Sequence, residues 1–98
     1  MTQQAALGRV AISRAGRDRG RAFLIVGVAD EAHVLLADGA TRRLARPKKK
    51  KLMHLRIEPA RADEIAKRLE SGAALLDADI RKALSALGID PVSYTHLR

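Results

Sequence analysis

The sequence predicts a mainly β protein: a small antiparallel β-barrel of about five strands, followed by one or two short C-terminal α-helices. Three observations point that way. Short apolar, β-branched runs recur from Val10 to Ile57 with no helical period between them. Glycine-bearing or acidic stretches separate these runs and read as turns. Beyond Pro59 the apolar spacing becomes that of a helix.

Taken in order, Val10 and Ile12 alternate with Ala11 and Ser13, a first strand entered through Gly8. The stretch from Arg14 to Arg21 holds Gly16 and Gly20 and reads as a loop needing unusual backbone torsions. Ala22 to Val28 is an unbroken apolar run and the clearest strand. Asp30 and Glu31 suit a tight connection to a third strand, His33 to Ala37. Asp38-Gly39 is a hairpin signal, since glycine tolerates the positive φ such turns need. A fourth strand is expected over Thr41 to Leu44, and a fifth over Leu52 to Ile57. Closure, or near closure, of this sheet would limit exposed strand edges.

Ala62, Ile65, Ala66 and Leu69 then fall on one helical face, with Gly72 as a stop. A second helix begins at Asp77, read as its N-cap, and Asp79 adds negative charge to its first turn. Ile80, Ala83, Leu84 and Leu87 form its stripe, and Gly88 ends it. Short helices of this kind need packing partners to persist. The expected organisation is therefore a barrel over 1–58, a helical extension over 59–91 and a tail over 92–98. The tail, with Tyr94 and His96, fits no preceding pattern and resembles translated sequencing-adapter DNA.

Composition narrows the function. In 98 residues there is no cysteine, which excludes disulfides, thiolate metal sites and a cysteine nucleophile. His33, His54 and His96 are scattered without spaced carboxylates, so no metal site is expected. Gly16 and Gly20 lack the Gly-Lys-Ser/Thr ending of a nucleotide phosphate loop. Asp63, Glu64, Asp77 and Asp79 sit at helix starts, where dipole and capping effects account for them. No catalytic centre and no cofactor are expected. Apolar runs fall far short of a membrane span and no signal peptide is evident, so the expectation is a cytoplasmic protein.

The net charge of +8 is unevenly placed. Residues 1–58 carry thirteen Lys and Arg against five Asp and Glu, whereas residues 59–98 carry six of each. A positive field confined to one module suits a polyanion-binding surface.

Gly8 to Ser13, the glycine-containing basic stretch Ala15 to Arg21 and the apolar run to Val28 resemble a KOW motif: strand, glycine loop, strand. With the following hairpin, the basic run Pro47 to Lys51 and the segment Lys51 to Leu55, the chain resembles bacterial KOW-domain proteins. These are related to the archaeal and eukaryotic large-subunit ribosomal protein numbered fourteen. The resemblance covers roughly residues 7–87. It implies an SH3-like barrel and binding to RNA, ribosomal or otherwise structured, with possible partners including the ribosome; it does not say which RNA.

The residues themselves suggest how. Arg14, Arg17, Arg19 and Arg21 project from a loop in which Gly16 and Gly20 let the backbone approach phosphate closely. Arginine's planar fork holds two phosphate oxygens at once. Arg42, Arg43, Arg46, Lys48, Lys49, Lys50 and Lys51 form a second group of cations, acting as mobile charges that release counterions. His54 and Arg56 extend this face along the last strand. Phe23 belongs to the core, which leaves almost no aromatic platform for stacking bases. Phosphate and shape recognition of a structured RNA is the expected mode.

Two other readings use the same residues differently. In one, an adaptor docks a transcription or translation factor through outward-facing Ile80, Leu84 and Leu87. In the other, the basic half binds a membrane surface, although no amphipathic basic helix or lipid anchor supports it.

Overall fold

The computed structural model describes residues 6–89. The expected tail 92–98, with Tyr94 and His96, and the end of the extension at 90–91 lie outside the described residues. Five strands, β1 (Arg9–Ser13), β2 (Ala22–Val28), β3 (His33–Ala37), β4 (Lys48–Lys51) and β5 (Leu55–Arg61), form one antiparallel sheet. Its order is β4-β3-β2-β1-β5. Two helices follow, α1 (Asp63–Ser71) and α2 (Asp77–Ala86). No helix among the described residues is long and apolar enough to cross a membrane.

The unbroken apolar run of β2 has a simple cause: this central strand is covered on both faces. Phe23 and Ile25 point to one side, where they pack with Ala11, Val34, Leu36 and Leu55. Leu24 points to the other, against Val10 and the helix residues Ile65, Ile80 and Leu84. Antiparallel strands with one wet face would alternate apolar and polar residues; doubly covered ones do not. Phe23 is fully buried, as the sequence predicts.

Both helices lie over the second face. Ile65 and Ala66 of α1 and Ile80 and Leu84 of α2 are buried. Gly72 caps α1 in the left-handed region at φ 76°, and the helical stripes fall where their spacing places them. Ile80 and Leu84 have no exposed surface, so the stripe invoked for an adaptor is packed against the sheet. Asp77 is not the N-cap of α2. Leu76 holds that position, and Asp79 Oδ2 accepts its N–H at 3.0 Å. The Asp77 carboxylate instead reaches across to accept the Leu44 N–H at 2.8 Å.

Two strands differ from expectation. Thr41 to Leu44 is a tight loop, because the Asp38 carboxylate accepts the N–H of Ala40 (2.9 Å), the Thr41 hydroxyl (2.8 Å) and the N–H of Arg42 (2.8 Å). The fourth strand is the lysine run itself, paired residue by residue with β3 from His33↔Lys51 to Leu36↔Lys48. The fifth begins later than expected, after a 3-10 turn at Leu52–His54. It also runs further, through Pro59 to Arg61, with a register shift against β1 between Arg9 and Ala11. Proline is tolerated there because β5 is an edge strand.

The sheet is not closed by pairing between its edges. β4 and β5 are edge strands joined by the 3-10 turn. That turn is fastened by Leu52 N–H to Ala32 O (2.8 Å) and by Arg14 N–H to His54 O (2.8 Å).

Candidate nucleic-acid interface

The β1–β2 and β3–β4 connections emerge at the same end of the sheet, as antiparallel order requires. The first, Arg14 to Arg21, is internally braced. Gly20 N–H donates to Ser13 O (2.7 Å), Ser13 N–H to Arg21 O (3.0 Å) and Arg19 N–H to Gly16 O (3.2 Å). Gly16 and Gly20 take φ of 77° and 83°, the positive torsions that the sequence predicts for this loop. Arg14, Arg17 and Arg19 are exposed, as are both glycines. The N–H groups of Gly16, Arg17 and Asp18 meet no acceptor among the described residues. An exposed loop with outward arginines and open N–H donors is equipped to hold an anion.

Two residues of this loop, Asp18 and Arg21, turn inward. Asp18 is buried, and its carboxylate accepts Arg42 Nη2 at 2.9 Å with Arg21 Nη1 at 3.8 Å. Arg21 also donates to the Thr41 hydroxyl at 2.9 Å and lies 3.7 Å from the buried Asp38 carboxylate. Two acids and two arginines thus lock the basic loops together. Arg42 Nε is buried with no hydrogen-bond partner among the described residues. Arg21 and Arg42, expected as phosphate contacts, are half-buried braces.

The lysine run is divided by strand geometry. Successive side chains of a strand point to opposite faces. Lys48 and Lys50 share the face of Leu36 and Val34, and Lys49 and Lys51 take the other. Lys50 is half-buried, and its ammonium donates to Ala15 O at 2.8 Å, pinning the arginine loop to β4. Lys49 sits 3.8 Å from Asp30. The run is therefore not one array of mobile charges. Arg56, on β5, pairs with Glu58 at 2.8 Å.

Arg14, Arg17, Arg46, Lys48, Lys51 and His54 make no side-chain hydrogen bond or ion pair among the described residues. Arg19 and Arg43 make only long contacts of 3.4 Å, to Arg14 O and Ala40 O. Of the cations and potential cations that the sequence predicts for the site, these eight are the ones left for a ligand. At the other end of β3, His33 Nδ1 lies 2.8 Å from Asp30 Oδ1. This contact, with the Ala32 N–H and Lys49, holds the Asp30 carboxyl below its ordinary range against a smaller opposing effect of desolvation.

Sequence reasoning missed Asp18 and Asp38 as organisers of the interface. The available signal was an aspartate set among four arginines and another opening a turn. It also missed Met53, exposed at 73% on the 3-10 turn between Lys51 and His54.

Fold and site together define a small antiparallel-sheet protein with two helices over one face and a braced cluster of cationic loops at one end. No family model matches the chain, and no curated protein matches it.

Proposed function

We propose that the chain is an RNA-binding protein of the KOW kind, acting in the cytoplasm on ribosomal or other structured RNA. The observation that carries this reading is the arginine loop. Arg14, Arg17 and Arg19 are exposed, while Asp18, Arg21, Arg42 and Lys50 hold the loop in one shape. A braced loop backbone loses little freedom on binding. The sheet order, with both edges joined through one 3-10 turn, supports an SH3-like barrel as its finer description. The strand–glycine loop–strand unit of β1 and β2 supports the KOW comparison.

Phosphate contacts would come from Arg14, Arg17, Arg19, Arg43, Arg46, Lys48 and Lys51. Such contacts give affinity and register rather than base readout. Recognition would then depend on how the RNA backbone presents itself to a rigid array.

The test is binding against salt concentration with four probes: a structured RNA, a single-stranded RNA, duplex DNA and anionic vesicles. The expected order places structured RNA first, with log affinity falling linearly with log salt. Preference for vesicles or duplex DNA would overturn the reading.

A further inference from the structure

We propose that Met53 is a nucleobase contact and that the RNA held at this site carries an unpaired nucleotide beside the bound backbone. The inference rests on the RNA-binding reading above and adds to it the kind of RNA recognised.

Among the described residues three large apolar side chains are exposed: Val28 at 39%, Leu76 at 68% and Met53 at 73%. Val28 ends β2 and Leu76 begins α2, both without a cation beside them in sequence. Met53 stands between Lys51 and His54, neither of which has a side-chain partner among the described residues. Its turn is held rigidly on both sides. Leu52 packs against the core, Leu55 is buried, and the turn's backbone bonds to Ala32 and Arg14 at 2.8 Å each. The Arg14 bond joins the turn directly to the arginine loop.

A hydrogen-bonded turn thus carries an apolar thioether out into solvent between Lys51 and His54, one backbone bond from the arginine loop. Among the described residues the core does not include that side chain. Methionine is polarisable and makes favourable contacts with aromatic rings. In a chain with no exposed aromatic residue among those described, it is the group best suited to cover the face of a base. A base within a continuous helix offers no free face, whereas a bulged or looped nucleotide does. Lys51 on one side and the Arg14 loop on the other would take the flanking phosphates.

The experiment compares the full chain on two RNA hairpins, one fully paired and one identical except for a single bulged adenosine. Wild type is expected to bind the bulged hairpin about threefold to tenfold more tightly. Met53→Ala should bind both hairpins equally, with the paired-hairpin affinity and salt slope of wild type. Met53→Leu should keep part of the preference. Since the side chain is exposed, both variants should melt at the wild-type temperature. Equal wild-type affinity for the two hairpins, or a preference surviving in Met53→Ala, would overturn the inference while leaving RNA binding intact. No binding to either hairpin at low salt would overturn the RNA-binding reading itself, and this inference with it.

Discussion

Arg42 donates a 2.9 Å hydrogen bond to Asp18, and through that pair the β3–β4 loop holds the β1–β2 loop in place. The Asp18 side chain is 6% exposed and that of Arg42 31%. A carboxylate so enclosed, with a guanidinium only partly wet, makes removal of the acid costlier than loss of a surface pair.

Asp18→Ala should therefore lower unfolding free energy by about 2 kcal/mol, since it leaves two half-buried guanidinium groups without their common partner. Asp18→Asn, which keeps an acceptor but not the charge, should cost about half as much. Urea unfolding of the two variants and wild type is the measurement. An unchanged midpoint in Asp18→Ala would mean that the loops are locked by other contacts.

Gly39 and Gly20 offer a matched comparison, since both lie at positive φ, 78° and 83°. A Cβ on Gly20 meets open space, whereas one on Gly39 would lie 2.4 Å from Asp77 O and 2.9 Å from Arg81 Cγ. Arg81 also donates to Gly39 O, so α2 sits directly on this turn. Gly20→Ala should cost about 1 kcal/mol, the torsional term alone. Gly39→Ala adds a backbone collision that only movement of α2 can relieve, and it should cost at least about 3 kcal/mol. Thermal melts of the pair provide the check. Equal costs would show that α2 is free to shift.

The reasons why some of this was legible in the sequence, and some not, are physical. β1, β2 and β3 advertise themselves because burial selects apolar, β-branched residues at their positions. The stripes of α1 and α2 are legible for the same reason, with Ile65, Ile80 and Leu84 spaced for one face. β4 is invisible to such reasoning. Four lysines carry no apolar pattern, and they form a strand because the outer side of β3 has backbone groups that must be paired. Lysines also suit an edge that must not recruit another chain. The same blindness affects the site. Composition marks the first half as cationic, yet only tertiary contacts with Asp18, Asp38, Asp30, Glu58 and the Ala15 carbonyl decide which cations remain available.

Acid should act on the far end of β3 through Asp30. Its carboxyl is held below the ordinary value of 3.8, first by the His33 ring nitrogen and next by the Ala32 N–H, with Lys49 adding to the effect. A carboxyl whose folded value is lowered contributes stability that is full above the unfolded value and is lost as pH falls through the folded one. The stability difference between wild type and Asp30→Asn should shrink on acidification below 3.8. In an NMR titration, the Asp30 carboxyl should show a midpoint below 3.8 that rises towards it in His33→Ala. A midpoint unaffected by that substitution would assign the lowering to the backbone N–H instead.

The four lysines of β4 should separate by position when replaced singly with alanine. Lys50 anchors Ala15 O at 2.8 Å from a half-buried site, so Lys50→Ala should lower stability by about 1 kcal/mol. Lys48 and Lys51 make no such bond among the described residues, and their loss should leave the melting temperature unchanged. Their effect should appear in binding. Each phosphate contact removed reduces the magnitude of the log–log salt slope by about 0.7 to 0.9. Lys48→Ala and Lys51→Ala should each show that reduction with a structured RNA, while Lys49→Ala, whose ammonium lies 3.8 Å from Asp30, should show less. Uniform effects across all four would mean that the strand's alternation does not govern which lysines reach the ligand, and that the run binds as a flexible charged segment after all.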